Sequence, residues 1–161
     1  MSPTPPPPIG VLFICMGNIC RSPLAEGVFL FKTQHRGVAG RFLVESAGTG
    51  GWHVGDRADP RVREIARQHG VSLEGTARQV IRGDFDRFDH LICMDDDNRG
   101  NLLDAGAPPK KVRLLLELDP DLEVREVPDP YYGGPDGFQE MYTLIERGCE
   151  ALLENLLASA P

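Results

Sequence analysis

The stretch at residues 11–23, VLFICMGNICRSP, constrains this chain more than any other. Its first four residues are apolar and suit a buried parallel strand, a short loop with one glycine follows Cys15, and Ser22-Pro23 is typical of a helix start. A loop between a strand and a helix collects backbone N–H groups and the positive end of the helix dipole around one point. We therefore predict an anion site at residues 15–21, which we call the anion loop.

Two side chains of the anion loop can carry chemistry. Arg21 follows Cys15 by six residues, and its planar guanidinium can bind two phosphate oxygens at once. The positive surroundings favour the thiolate form of Cys15, which is the nucleophilic form. Cys93 and Arg99 have the same spacing, but the three aspartates at residues 95–97 would repel a phosphate. A buried structural cysteine is the alternative for Cys15.

Composition limits the class of protein. A chain of 161 residues predicts one domain with a substantial core, and 41% hydrophobic with 25% charged residues is typical of a soluble globular protein. The net charge of −7 argues against a nucleic-acid binder. The N-terminus has no basic-then-apolar leader, no apolar run is long enough for a membrane, and the four cysteines are not densely spaced. We expect a cytoplasmic monomer.

The order of apolar runs and helix signals predicts an α/β protein. Residues 1–8 read as a proline-rich tail that joins no core, with an SH3-type ligand as the alternative, and residues 9–161 as one domain. We predict strands at residues 11–14, 42–45, 90–94 and 112–115. We predict helices from residue 22 or 23 to 35, at 60–70 with Asp59 as its cap, after the cap at 95–98, and at 137–157. Residues 80–88 receive no assignment. Alternating strands and helices predict a parallel sheet covered on both faces.

The anion loop resembles the active-site loop of the low-molecular-weight protein tyrosine phosphatases, which place Cys-x5-Arg-Ser-Pro near the N-terminus after the first strand. The resemblance extends over nearly all of the chain beyond residue 10, through residues 45–49, 52–55, 59–61, 69–70, 77–79, 93–95 and 129–132. It implies a single domain with a four-stranded parallel sheet in the order 2-1-3-4, the phosphate loop after strand 1, and hydrolysis of phosphotyrosine in proteins.

The resemblance also implies the catalytic roles. Cys15 is the nucleophile, Arg21 holds the phosphate, and Ser22 donates a hydrogen bond to the returning thiolate. Asp129 is the general acid and base; the residues alone show an aspartate held in extended backbone by the following proline, which is more often only a turn residue. The phosphate-binding set is Met16, Gly17, Asn18, Ile19, Cys20 and Arg21.

Further roles concern support and the substrate cleft. The resemblance implies a hydrogen-bond network of Asn18, Ser46 and His69; on helical periodicity, His69 lies on the inward face of its helix, where a satisfied core histidine is the alternative. Cys20 would trap an oxidised Cys15 as a disulfide, or else simply pack under the helix. The implied walls of the cleft are Ile19, Trp52, Tyr131 and Tyr132.

The implied partners are phosphotyrosine-containing proteins, with phosphate and other oxyanions as inhibitors and with no metal or cofactor. An arsenate reductase on the same fold would need a further pair of exchanging cysteines, and only Cys93 and Cys149 remain. A protein-arginine phosphatase carries threonine where this chain has Ile19. A non-catalytic phosphotyrosine-binding or redox module would not need Cys15, Arg21 and Asp129 together.

Overall fold

A computed structural model of the chain describes residues 5–130 and 136–159. The strands of this part are β1 (Ile9–Cys15), β2 (Phe42–Gly48), β3 (His90–Cys93) and β4 (Val112–Leu114). Its α-helices are α1 (Arg21–His35), α2 (Pro60–Gln68), α3 (Asp84–Arg87), α4 (Asp96–Asp104) and α5 (Gly137–Ser159). Short 3-10 turns precede β2 and β4 and follow β4.

The strands form one parallel sheet in the order β2-β1-β3-β4, which confirms the predicted architecture. β1 lies inside the sheet, with Cys15 opposite Gly48 of β2 and Ile14 opposite Cys93 of β3. Parallel strands present their carboxyl ends at a common edge. The residues that follow β1, β2 and β3 therefore meet at that edge.

Side chains of β1 alternate between two apolar layers. Val11 and Phe13 pack in the layer formed with α1, α2 and α5. Leu12 and Ile14 face the opposite layer, to which α3 and α4 contribute. All four side chains are fully buried, because helices cover both faces of the sheet.

Local signals in the sequence explain where the helices begin. The Asp59 side chain accepts a hydrogen bond from the Arg61 amide and caps α2, and Asp95 does the same for the Asn98 amide at the start of α4. Both caps were predicted. β2 extends three residues beyond its predicted end, so Ser46 lies in a strand rather than a turn. The unassigned residues 80–88 contain the single-turn helix α3.

The proline-rich start contributes nothing to the core where it is described. Residues 5–8 are exposed and lie outside any helix or strand. The assignment of the whole of residues 1–8 as a tail stays a prediction, because residues 1–4 lie outside the described part. Within the residues described, no helix has both the length and the apolar composition needed to cross a membrane.

Candidate active site

The anion loop leaves the carboxyl end of β1 and enters α1, and the chain after β2 holds it in place. The Thr49 amide donates to the Cys15 carbonyl at 2.9 Å, and the Gly50 amide donates to the Met16 carbonyl at 2.9 Å. A side chain at Gly48 would place its Cβ 2.8 Å from the Met16 carbonyl oxygen. Glycine at this position therefore permits the close approach of β2 to the loop.

The backbone of the anion loop offers unused donors. The amide groups of Gly17, Ile19 and Arg21 donate to no acceptor among the residues that the structure describes. Arg21 begins α1, and the first turn of that helix contains no acidic residue. Unpaired amides at a helix N-terminus attract an anion through direct hydrogen bonds and through the helix dipole. The loop is thus built to receive a negatively charged group.

A small pocket of about 60 Å³ opens at this loop. Cys15 and Arg21 come from the anion loop, and half-buried Asp129 comes from the irregular segment after β4, far away in the chain. The fold therefore brings three of the four side chains with a predicted catalytic role to one pocket. The full lining is Cys15, Met16, Gly17, Ile19, Cys20, Arg21, His53 and Asp129.

The orientation of the Asn18 amide follows from its backbone neighbour. The Arg78 amide N–H can only donate, and it lies 2.9 Å from Asn18 Oδ1. The other atom, Nδ2, therefore donates to Ser22 Oγ at 2.8 Å and to Ser46 Oγ at 3.0 Å. Asn18 also has a positive φ of 59°, a backbone conformation that asparagine adopts more readily than most residues.

The two serine hydroxyls are consequently oriented as well. Ser22 Oγ accepts from Asn18 and lies 2.9 Å from Cys15 Sγ, to which it donates its proton when Cys15 is a thiolate. The Asn18 amide N–H donates to the same sulfur at 3.3 Å. Ser46 Oγ donates to Glu26 Oε1 at 2.5 Å. Two donors thus converge on the buried Cys15 sulfur, an arrangement that stabilises a thiolate.

Arg21 is held by one of its terminal nitrogens. Nη1 donates to Asp95 Oδ2 at 2.6 Å and to the Val127 carbonyl at 3.0 Å. Burial opposes the charge of Arg21, but Cys15, Asp95 and Asp129 outweigh burial and raise the pKa of the guanidinium. Nε and Nη2 donate to no described residue, and every fully buried side-chain nitrogen in that part has a partner, so both are open to the pocket.

Comparison with known proteins places this site in a family. The family model described as low molecular weight phosphotyrosine protein phosphatase matches residues 10–160. The low molecular weight protein-tyrosine-phosphatase YfkJ of Bacillus subtilis is 42% identical over 151 residues, covering 92% of this chain and 96% of that protein. The chain belongs to the low-molecular-weight phosphotyrosine protein phosphatase family. The sequence-based resemblance is confirmed, and the family is one of hydrolytic enzymes.

Solved structures of the family agree with this fold. The crystal structure of YfkJ from Bacillus subtilis superposes with a TM-score of 0.93 at 40% identity, covering 97% of this chain and 99% of that one. The structure of a Drosophila arginine phosphatase superposes with a TM-score of 0.86 at 31% identity, covering 93% and 99%. The fold is therefore shared by a protein named as a tyrosine phosphatase and by one named as an arginine phosphatase.

The predicted role of His69 in the supporting network is wrong for this phosphatase. His69 lies just past the end of α2, is exposed, and stacks on Tyr142 of α5 with ring centroids 3.9 Å apart. Helical periodicity placed it on the inward face, but α2 ends at Gln68 and the chain turns there. Glu26 of α1 instead binds Ser46 and closes the network. Glu26 belongs to no motif and stands alone between Ala25 and Gly27 of α1, so sequence reasoning missed it.

The predicted cleft walls are only partly brought to the pocket. Ile19 lines it, whereas Trp52 is 72% exposed and its indole lies against Gly50, outside the pocket lining. His53, which sequence reasoning did not single out, lines the pocket over Gly17 and approaches Asp56 through Nδ1 at 3.3 Å. The sequence signal that could have identified His53 was its position next to Trp52, which was predicted to line the cleft. Tyr131 and Tyr132 lie outside the described residues.

The remaining cysteines differ from Cys15 in their surroundings. Cys93 and Cys149 are fully buried in the two apolar layers, and burial raises the pKa of both thiols. Cys20 is buried beside the pocket, and no disulfide joins it to Cys15. Among the described residues, no group of three or more histidine, cysteine or acidic side chains is placed to hold a metal ion.

Proposed function

We propose that this chain hydrolyses phosphotyrosine in proteins through a cysteinyl-phosphate intermediate. The observation that carries the proposal is the shared pocket of Cys15, Arg21 and Asp129, which provides a nucleophile, a cation and a carboxyl group around one point. The unused amides of the anion loop add hydrogen-bond donors for phosphate oxygens. Phosphate and other oxyanions should bind there as competitive inhibitors, because they match the same donors.

In the first step, the Cys15 thiolate attacks phosphorus and the bond between phosphorus and the tyrosyl oxygen breaks. Arg21 and the loop amides hold the three non-bridging oxygens, where negative charge accumulates in the transition state. Asp129 transfers its proton to the departing oxygen, so that tyrosine leaves as a neutral phenol. The products of this step are a dephosphorylated tyrosine residue in the substrate protein, a phosphorylated Cys15 and an ionised Asp129.

In the second step, a water molecule attacks the phosphorylated cysteine. Asp129, now a carboxylate, accepts a proton from that water as the bond between phosphorus and sulfur breaks. Inorganic phosphate leaves, and the sulfur departs as a thiolate. Ser22 stabilises this leaving group, because the proton of its hydroxyl is directed at Cys15 Sγ. Asp129 is protonated again and the cycle is complete.

The character of the pocket favours an aryl ester as substrate. Ile19 presents an apolar side chain in its lining, which suits the ring of phosphotyrosine. An arginine phosphatase of the family would carry threonine there, so Ile19 argues against phosphoarginine as the main substrate. The arsenate reductase alternative needs two further accessible thiols, whereas Cys93 and Cys149 are fully buried. A passive binding module would not need Asp129 in the pocket.

Turnover of p-nitrophenyl phosphate by the purified chain tests the proposal. Cys15→Ser should abolish turnover while tungstate still binds, because the loop amides and Arg21 remain. A phosphotyrosine peptide and a phosphoarginine peptide of the same sequence should then be compared, and the former should be hydrolysed with the higher kcat/KM. Turnover by Cys15→Ser, or preference for phosphoarginine, would contradict the proposal.

A further inference from the structure

A second cavity, of about 420 Å³, lies between α1 and the segment at residues 70–77. Asn18 and Ser46 contribute to its wall and also belong to the hydrogen-bond chain that ends at Cys15. The reaction proposed above makes no use of this cavity. Its size lies in the range of small-molecule binding sites, and its apolar wall includes Leu30, Phe31 and Leu73.

The ionisable groups in the wall of this cavity are all acidic. Glu26 and Glu74 line it, and none of its lining residues is a lysine, arginine or histidine. Outside the wall, Arg78 stabilises the ionised carboxylate of Glu26, and Glu45 destabilises it. Arg78 is itself engaged by Asp84 and Glu45. The interior therefore favours a positively charged occupant.

Glu26 has one carboxylate oxygen available to such an occupant. Oε1 accepts the hydrogen bond from Ser46, whereas Oε2 accepts none from a described residue. Because no fully buried side-chain oxygen in the described part lacks a partner, Oε2 is open to the cavity. Burial raises the pKa of the Glu26 carboxyl, and the hydrogen bond from Ser46 acts in the opposite direction. A cationic donor at Oε2 would compensate the burial of this charge.

We propose that this cavity binds a small molecule that carries a protonated amine on an apolar ring. The ammonium group donates to Glu26 Oε2, and the ring packs against Leu30, Phe31 and Leu73. The site is separate from the pocket at Cys15, and the two are connected by the hydrogen bonds from Asn18 to Ser46 and from Ser46 to Glu26.

This connection makes the two sites interdependent. An ammonium ion beside Glu26 keeps the carboxylate ionised, so the Ser46 hydroxyl stays directed at it and remains an acceptor for Asn18. Asn18 is then held in the conformation that orients Ser22 toward Cys15. Binding of the amine and binding of an oxyanion at the anion loop should therefore strengthen each other, and this coupling rests on the function proposed above.

Titration with benzylamine, followed by backbone amide shifts of residues 70–77 in NMR spectra, tests the cavity directly. Benzyl alcohol is the neutral comparison on the unmodified chain and should bind more weakly by about tenfold or more, as expected for loss of a hydrogen bond between charged groups. Equal affinities of the two ligands, or shifts confined to other segments, would overturn the proposal. This measurement needs no enzymatic activity, so its result can be interpreted even if the proposed function is wrong.

Matched variants show which carboxylate of the cavity binds the amine. Glu26→Gln should weaken benzylamine binding by about tenfold or more. Glu74→Gln removes the other carboxylate of the wall, whose Oε1 accepts from Ser72, and should weaken benzylamine binding by less than about threefold, because the ammonium group donates to Glu26 and not to Glu74. The inhibition constant of phosphate should fall by about fivefold at saturating benzylamine. Benzylamine binding that survives Glu26→Gln, or a phosphate constant that does not respond, would refute the site or its coupling respectively.

Discussion

Arg21 and Asp95 form an ion pair across the candidate active site, with Nη1 and Oδ2 2.6 Å apart. Asp95 also caps α4 through the Asn98 amide, so one carboxylate fixes both a helix start and the guanidinium beside Cys15. Because Nη1 is occupied, Arg21 presents Nε and Nη2 of its planar guanidinium to the pocket. The arrangement positions the cation without help from a bound anion.

Asp95→Asn should therefore weaken phosphate binding and lower the free energy of unfolding, while the protein still folds. The amide can still cap α4, but it no longer holds the guanidinium by charge, so we expect a raised KM and a weaker inhibition by phosphate. The free energy of unfolding should fall by about 2 kcal/mol, since the pair is largely shielded from water. Steady-state kinetics and urea denaturation measure both effects. Asp97→Asn, at an exposed position of the same helix, is the control and should change neither.

Ser22→Ala should slow the breakdown of the phosphorylated enzyme. The variant removes the hydroxyl that donates to Cys15 Sγ, and a hydrogen bond to a charged group is worth about 2 kcal/mol, or a factor of about 30 in rate. A stopped-flow trace with p-nitrophenyl phosphate should show a burst of p-nitrophenol followed by slow turnover. Ser72→Ala, remote from the sulfur, should behave like the unmodified chain. An unchanged kcat for Ser22→Ala would remove this serine from the second step.

Asp129→Ala should penalise poor leaving groups much more than good ones. A phenol of high pKa must be protonated as it departs, whereas nitrophenol can leave as an anion. The slope of log kcat/KM against leaving-group pKa should therefore become steeper in the variant. Asp121→Asn in the same acidic segment is the control, because Asp121 is exposed and outside the pocket lining. Uniform losses across the phenol series would exclude Asp129 as the acid.

We further propose that Cys20 protects an oxidised Cys15 by forming a disulfide with it. Peroxide should inactivate the unmodified chain reversibly, and Cys20→Ser should make the loss of activity harder to reverse with thiol, because the sulfenic acid at Cys15 is oxidised further. Recovery of activity after dithiothreitol is the measurement. Cys149→Ala changes a buried thiol of the α5 layer and should recover normally. Full recovery of Cys20→Ser would contradict the proposed role.

The errors of the sequence interpretation occur where a contact joins distant segments. Helical periodicity directed His69 inward, but the helix ends one residue earlier and the ring packs on Tyr142. Glu26 carries no motif, and only the packing of α1 beside β2 brings it to Ser46. Likewise, the resemblance implied Trp52 as a wall of the cleft, whereas the neighbouring His53 lines the pocket. Periodicity reports which face of an element is apolar, and it does not report which partner that face meets.

The sequence alone determined the sheet order through resemblance, and it determined the strand, loop and helix around Cys15 through local physics. Apolar runs, caps and a glycine-containing turn act over a few residues, so their effects can be read from neighbouring letters. Tertiary structure alone decided that Asp95 holds Arg21, that Asn18 orients both serines, and that Glu26 borders a second cavity. These relationships depend on distances between side chains that are far apart in the chain, and such distances exist only once the core has packed.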